Sequence, residues 1–250
     1  MIRIDFMGTP GIGKTFLIDS LLNQPHSDNR FISRKDALIK IARQNVHEYA
    51  WVYRTFIQIG LKLPLQDAPL LLANIVNRKK EEEIFSNLSS IDQIIDQALV
   101  QYREFSQPAL RKIKRVQGLY QQIIDGVLIS LNPRPEAVLM DESLAQHLPD
   151  VPFESINTKE LFPHLLIHVT GDVDNLIAHI RNREKRKNKS PRTLNTDFLQ
   201  QSLDYYTDRA QKFSIAGVSV VTIDIGDQLS NNIEKILSSV NMLYSSKIKA

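Results

Sequence analysis

The sequence contains no cysteine in its 250 residues. Disulfides, thiolate metal sites and cysteine nucleophiles are therefore excluded. It also lacks a run of about 18 consecutive apolar residues, so we expect no membrane-spanning helix. The chain enters an apolar, strand-like run at once, without a basic segment and a cleavage site, so we expect no secretory signal and a cytoplasmic location.

Positive charge is concentrated in one stretch. Residues 181–192 hold seven Lys or Arg and one Glu, whereas the whole chain carries only +3. A nucleic-acid surface usually spreads its basic charge more widely, so we do not expect a nucleic-acid partner. The basic segment is interpreted as a local anion-binding device, the alternative being a solvated basic loop.

The segment GTPGIGKT, residues 8–15, fits the phosphate-binding pattern GxxxxGK[ST]. Apolar residues precede it as in a strand and follow it at helical spacing, an arrangement that points backbone N–H groups and a helix N-terminus at one anion. The pattern assigns Lys14 to the terminal phosphates of a nucleotide and the Thr15 hydroxyl to Mg²⁺. The residues expected to bind the nucleotide are Gly8, Thr9, Pro10, Gly11, Ile12, Gly13, Lys14, Thr15 and Phe16.

Short apolar runs predict five parallel strands, with helical patterns between them, as in an α/β sheet wound on both faces. The runs are residues 2–7, 30–33, 136–142, 164–171 and 217–225. Ligands bind outside the carboxyl ends of such strands, where we expect Gly8, Asp36, Asp141 and Gly171 to gather. We expect one domain over residues 1–250, with its core in residues 1–35 and 136–240.

Residues 36–133 have helical patterns and no clear strand. We interpret them as an all-helical insertion between the second and third strands, suited to substrate selection, the alternative being structural padding. Its exposed faces would allow a homodimer. The predicted helices, divided by prolines, are residues 36–60, 67–85, 89–105 and 108–130.

Carboxylates follow two of the predicted strands. In VLMDES, Asp141 is placed to reach Mg²⁺ and Glu142 to orient or deprotonate an attacking oxygen, the alternative being a surface acidic pair. Asp36 is another candidate base, and Arg34 beside it could bind an anionic acceptor.

The basic segment follows the fourth strand through a helix for which Asp172 is the expected N-cap. Arg183 and Arg186 are three residues apart and can share one helix face. Arginine forks complement phosphate oxygens, so these two side chains are expected to stabilise a transferring phosphoryl group.

Together, GTPGIGKT, VLMDES and the basic segment resemble the P-loop nucleoside and nucleotide kinases, a group that includes adenylate, thymidylate and deoxynucleoside kinases. The loop with Pro10 and Gly11 looks like the adenylate-kinase style of Walker A, and residues 181–192 look like the LID. The resemblance covers residues 1–35 and 136–240.

This resemblance implies phosphate or metal roles for Lys14, Thr15, Arg183 and Arg186. It also implies that the loop after Ile225 contacts the adenine. The chain departs from the group in having Glu142 and His179 where many of its members have arginine.

We therefore expect an ATP-dependent, Mg²⁺-requiring P-loop kinase that transfers the γ-phosphoryl group to a nucleoside, nucleotide or other small metabolite. The alternatives are a P-loop ATPase or a nucleotide-dependent switch acting on a macromolecular partner, RNA included. A GTPase is disfavoured because the sequence has no NKxD motif. The catalytic base stays open among Asp36, Asp141 and Glu142.

Overall fold

Five parallel strands form one sheet in the computed structural model, in the order β2-β3-β1-β4-β5. Each strand lies within the run predicted for it, so the prediction of an α/β fold with a five-stranded parallel sheet is confirmed. The strands are β1 Ile2–Met7, β2 Phe31–Ser33, β3 Ala137–Met140, β4 Leu165–Thr170 and β5 Ser219–Asp224. The structure describes residues 1–24, 30–49, 51–62, 68–87, 94–97, 99–100, 109–141, 143–147, 161–186, 188, 190 and 193–248.

Burial explains why these runs form strands. Every residue of β1 and β3 is buried, as expected for parallel strands covered on both faces. The edge strand β5 is mostly exposed or half-buried. In the register, Met7 pairs with His168 across β1 and β4, and His168 pairs with Thr222 across β4 and β5.

Helices connect the strands. They are α1 Lys14–Leu22, α2 Arg34–Asn45, α3 Trp51–Gly60, α4 Ala68–Asn87, α5 Ala109–Leu131, α6 Leu144–His147, α7 Val173–Arg186, α8 Thr196–Ile215 and α9 Leu229–Ile248. Residues 94–97 and 99–100 are also helical, and the rest of the predicted helix 89–105 lies outside the described residues.

The prediction of one continuous helix over residues 36–60 is wrong. A 3₁₀ turn, Val46–Glu48, and an extended backbone at Tyr49 separate α2 from α3. The Arg54 guanidinium donates to the His47 carbonyl oxygen at 2.7 Å, which satisfies an acceptor that a continuous helix would have bonded itself. The Arg54 side chain of α3 thus replaces a hydrogen bond that is lost at the break. Helical periodicity alone does not reveal this contact.

The chain divides into two compact units. The first comprises Met1–Arg3, Asn29–Val138 and His147–Phe162, and includes α2 to α5. The second comprises Ile4–Asp28, Leu139–Gln146 and Pro163–Ala250, and includes α1, β4, β5 and α7 to α9.

A buried ion pair lies within the first unit. Asp125 of α5 is 1% exposed, and its Oδ2 accepts from both Nε, at 2.6 Å, and Nη2 of Arg34. The Gln121 amide donates to the other carboxylate oxygen at 2.8 Å. Burial raises the pKa of Asp125, although the Arg34 charge opposes this. One apolar cluster of the same unit consists of Ile39, Ala42, Val46, Leu61, Ala73 and Val76.

Large apolar side chains are exposed on α3 and α4 of the first unit. They are Trp51, Phe56, Ile59, Leu71 and Ile75. Exposed apolar patches are common at protein interfaces, and the homodimer stays a prediction.

In the second unit, side chains cap two helices. Asp172 Oδ1 accepts from the Asn175 amide at 2.6 Å, which confirms Asp172 as the N-cap of α7. Asn195 Oδ1 caps α8 in the same way, accepting from the Phe198 amide at 3.0 Å. Within the described ranges, no helix has the length and apolar character needed to cross a membrane.

Candidate functional site

The strand order marks where a ligand is expected. The chain leaves β1 towards β2 on one side and leaves β3 towards β4 on the other, so the two neighbouring strands have crossovers in opposite directions. Open α/β sheets bind ligands outside the carboxyl ends of strands at such a switch point. Gly8 and Asp141 are the residues that directly follow β1 and β3.

The loop after β1 contains three glycines with a positive φ, Gly8, Gly11 and Gly13. A Cβ atom at Gly8 would lie 2.3 Å from the Val169 carbonyl oxygen of β4, which leaves no room for a side chain. Gly13 has a φ of +107°, in the region that L side chains rarely adopt. The backbone can therefore turn tightly from β1 into α1 only with glycines at these places.

Lys14 is folded back against this loop. Its side chain is buried, and Nζ donates to the Gly8 carbonyl oxygen at 2.8 Å and to that of Thr9 at 3.5 Å. The ammonium group is thus held among main-chain atoms of the loop, where a bound anion would meet both the charge and the loop amides.

The first turn of α1 differs from those of α2, α7 and α8. Ser33, Asp172 and Asn195 cap those three helices with side-chain oxygens. At α1, no side chain of the described residues caps the N-terminus, and the first turn contains no acidic residue. A helix N-terminus without a side-chain cap can bind an anion through its N–H groups and the positive end of the helix dipole.

A cavity of about 530 Å³ opens at this loop, and all of its described lining residues belong to the second unit. Its size is typical of small-molecule sites, which measure about 300–1,000 Å³. The described residues that line it are Pro10, Gly11, Gly13, Lys14, Thr15, Phe16, Asp19, Asp141, Gln146, His179, Asn182, Arg183 and Arg186.

The cavity brings together charges from distant parts of the sequence. Lys14, Arg183 and Arg186 supply positive charge, and Asp19 and Asp141 supply carboxylates. Arg183 and Arg186 are exposed, and their guanidinium groups make no hydrogen bond or ion pair with the described residues. They are therefore available to an anionic ligand. A cation bound by the two carboxylates could contact the same ligand.

Thr15 and Asp141 form a hydrogen-bonded pair at the end of β3. The Thr15 hydroxyl donates to Asp141 Oδ2 at 2.7 Å. A hydroxyl next to a carboxylate is an oxygen-donor set of the kind that Mg²⁺ accepts together with phosphate oxygens and water. Over the described part of the chain, no group of three or more His, Asp or Glu side chains could hold a metal on protein ligands alone.

Not every predicted site residue lines the cavity. Gly8, Thr9 and Ile12 are buried and are absent from the described lining, whereas the other six predicted loop residues are present in it. Glu142 lies outside the described residues.

Arg34 and Asp36 belong to the first unit, and each has a local partner there. The Asp36 amide donates to Ser33 Oγ at 3.1 Å, and the Ser33 hydroxyl donates to Asp36 Oδ2 at 2.6 Å. This pairing caps α2. The Arg34 guanidinium binds Asp125. Roles for both residues in catalysis stay predictions.

Sequence patterns did not identify Asp19, Gln146 or Asn182 as lining residues. Asp19 is one helical turn after Thr15, so i, i+4 spacing could have found it. Asn182 is three residues after His179 on α7 and could have been found in the same way. Gln146 lies in a helix of four residues, which is too short for a periodic signal.

A buried histidine lies outside the cavity lining. His168 is on β4, between β1 and β5, and burial lowers its pKa to about 4. It is therefore neutral at neutral pH, where the charges of the cavity come from other side chains.

No protein-family model matches the chain, and no curated protein sequence matches it.

Proposed function

We propose that this protein is an ATP-dependent phosphotransferase that moves the γ-phosphoryl group of ATP to a small-molecule acceptor. In this proposal the second unit contains a P-loop, and the helices between β2 and β3 are an insertion that selects the acceptor. One observation carries the proposal: Lys14, Asp141 and the arginine pair of α7, which lie far apart in the sequence, line the same cavity.

The loop and α1 supply the phosphate site in this proposal. Glycine backbone at Gly8 and Gly13 lets phosphates approach the main chain, and the uncapped first turn of α1 offers N–H donors. Lys14 already lies against the loop carbonyls and would bind the terminal phosphates from there. The loop after Ile225 would contact the adenine.

The pair Thr15 and Asp141 fits a magnesium ion, since it offers two oxygen ligands and leaves the remaining positions to water and phosphate. Bound there, Mg²⁺ would neutralise the charge that develops on the β- and γ-phosphates. The protein's own part is to hold Asp141 in place through the Thr15 hydroxyl.

In the transfer, an acceptor oxygen forms a bond to the γ-phosphorus as the bond from that phosphorus to the β,γ-bridging oxygen breaks. ADP leaves with the bonding electron pair. The acceptor's proton passes to a carboxylate and then to water. Asp141 lines the cavity, and Glu142 and Asp36 remain alternative bases.

Stoichiometry tests the proposal against the ATPase alternative. We expect purified protein with Mg²⁺ and ATP to release inorganic phosphate slowly, and to form ADP rapidly only when a suitable acceptor from a panel of nucleosides, nucleotides and sugars is added. Steady release of phosphate that no acceptor accelerates would contradict the kinase and favour the ATPase or the nucleotide-dependent switch.

Arg183 and Arg186 are expected to act mainly on the transition state. Replacing either by alanine should lower kcat by about 10²- to 10³-fold, because each guanidinium neutralises charge on the transferring group. Steady-state kinetics on the acceptor found above would measure this.

Arg181→Ala is the matched control, since Arg181 is an exposed arginine of α7 that is absent from the described cavity lining. Equal losses in all three variants would indicate a general effect of the charge of α7, and would contradict specific roles for Arg183 and Arg186.

A further inference from the structure

His179 is a titratable side chain of the cavity that the proposed phosphate chemistry does not use. It lies on α7 and lines the cavity together with Asn182, Arg183 and Arg186. The four residues are spaced i, i+3, i+4 and i+7, so they form one face of the helix. The face of α7 that lines the cavity therefore begins with an imidazole ring and continues through an amide to two guanidinium groups.

The His179 ring lies close to the N-terminus of α1. Gly13 is the N-cap of that helix, and a Cβ atom on Gly13 would lie 3.8 Å from His179 Nδ1 and 3.9 Å from Cε1. A Cβ atom on Gly11 would lie 3.0 Å from Cγ1 of Ile180, the next residue of α7. Two successive residues of α7 thus lie close to the glycine loop, and the imidazole is placed where the N–H groups of α1 begin.

The imidazole is available to a ligand. His179 is exposed, and its ring makes no hydrogen bond or ion pair with the described residues. A protonated imidazole donates from both ring nitrogens, and charge-assisted hydrogen bonds to phosphate oxygens are stronger than neutral ones. An anion bound by the first turn of α1 would lie beside this ring.

We propose that His179 binds the nucleotide phosphates that the glycine loop holds, in ADP as well as in ATP. The inference rests on the proposed function, in which the loop and Lys14 bind the β- and γ-phosphates. Arg183 and Arg186 follow His179 by one and two turns of α7, about 6 and 10 Å along the helix axis. His179 is therefore a residue that binds the nucleotide before and after the transfer, whereas the two arginines act on the transferring group.

Binding by His179 makes the affinity for nucleotide depend on pH. Histidine is the side chain that ordinarily changes its charge between pH 6 and 8, and its protonated form attracts phosphate more strongly. Aspartate, lysine and arginine ordinarily keep their charge over this range. The side chains of these types in the described lining are Lys14, Asp19, Asp141, Arg183 and Arg186.

The buried His168 does not add to this dependence on pH. Its pKa is about 4, so it stays neutral between pH 6 and 8. We therefore expect nucleotide to bind more tightly at pH 6 than at pH 8, and we expect His179 to be the source of the difference.

The test measures the Kd of the full-length protein for ADP and for a non-hydrolysable ATP analogue, with excess Mg²⁺, at pH 6 and at pH 8. His179→Gln should raise both Kd values about 10-fold at pH 6, where an imidazolium is lost, and about twofold at pH 8, where a neutral ring is lost. The ratio of variant to wild type removes the titration of the nucleotide itself. The measurement needs no acceptor.

His179→Arg should restore binding, because the charge of arginine does not depend on pH in this range. Its Kd at pH 8 should lie within about threefold of the wild-type value at pH 6. Since His179 is exposed, neither substitution should lower the melting temperature.

His47→Gln is the matched control. His47 is an exposed histidine in the 3₁₀ turn of the first unit and is absent from the described cavity lining. This variant should bind both nucleotides as the wild-type protein does, at both pH values.

Equal Kd values for His179→Gln and His47→Gln at pH 6 would overturn the inference. A loss in His179→Gln that is the same at both pH values would also overturn it, as would a loss for the ATP analogue without one for ADP. Failure of the wild-type protein to bind either nucleotide would refute the proposed function instead.

Discussion

Replacing Lys14 by alanine is expected to lower kcat/KM for ATP at least about 100-fold, which corresponds to about 2.7 kcal/mol of transition-state stabilisation. The Lys14 side chain is buried at the loop, and its ammonium group donates to the main-chain carbonyls of Gly8 and Thr9. Its loss removes both the charge that would bind the terminal phosphates and a hydrogen bond that holds the loop. ADP formation with the acceptor identified above measures the effect.

Lys185→Ala is the matched control, because Lys185 is an exposed lysine of α7 that is absent from the described cavity lining. It removes the same charge and should retain most of the activity. The melting temperature of each variant separates a loss of folding from a loss of function. ADP formation that survives in well-folded Lys14→Ala protein would refute the assignment of the phosphate site.

Replacing Arg34 by leucine is expected to destabilise the protein by about 3 kcal/mol at neutral pH. The substitution leaves the Asp125 carboxylate, which is 1% exposed, without its cation. We expect a value at the low end of the range for buried pairs because Arg34 itself is 34% exposed. Urea denaturation at pH 7.5 measures the change in the free energy of unfolding.

The stability lost in the Arg34→Leu variant should be smaller at acidic pH than at neutral pH. Burial raises the pKa of Asp125 in the folded protein, so its favourable contribution to stability is complete below the unfolded pKa and is lost as pH rises through the folded pKa. Arg34 opposes this rise, so the Arg34→Leu variant should have a still higher pKa at Asp125. Denaturation at pH 4.5 should therefore show a smaller difference from wild type than at pH 7.5.

Asp125→Asn is the companion variant. It removes the buried charge and keeps a side chain of the same shape, while the remaining guanidinium of Arg34 can reach water. The expected cost is about 1 kcal/mol, that of a weakened hydrogen bond. Equal costs for Arg34→Leu and Asp125→Asn, with no dependence on pH, would contradict burial as the cause.

The strands and the Asp172 cap were parts of the fold that the sequence could predict. A strand buried on both faces is an apolar run whatever its neighbours are, so β1 and β3 could be located without knowledge of the sheet. The Asp172 cap was equally local, because it acts within three residues. Strand order was beyond the sequence, since it depends on pairs such as Met7 and His168.

The loop residues of the candidate site and its charges at Asp141, Arg183 and Arg186 were predictable from the sequence, whereas Asp19, Gln146 and Asn182 were not. A recognisable spacing pointed to Lys14, Thr15 and Asp141 before their common cavity was seen. The burial of Gln146 depends on packing around α6. Arg209 of α8, which is far along the chain, donates to the backbone of α6, and local sequence patterns do not reveal such a contact. Asp36 was predicted as a site residue, but its Ser-x-x-Asp spacing from Ser33 is also a helix-capping pattern. The structure contains the capping hydrogen bonds between Ser33 and Asp36.

The helix α8 is bonded to two parts of the cavity. Arg209 binds the Ala145 carbonyl oxygen, and the Ser202 hydroxyl donates to Thr9 Oγ1 at 3.3 Å. The glycine loop and the turn that carries Gln146 thus share one support, independent of any ligand. The conformational entropy of these two segments is lost when the chain folds, before any ligand binds. A ligand that enters the cavity therefore meets a preorganised wall, and less of the binding energy is needed to order the protein.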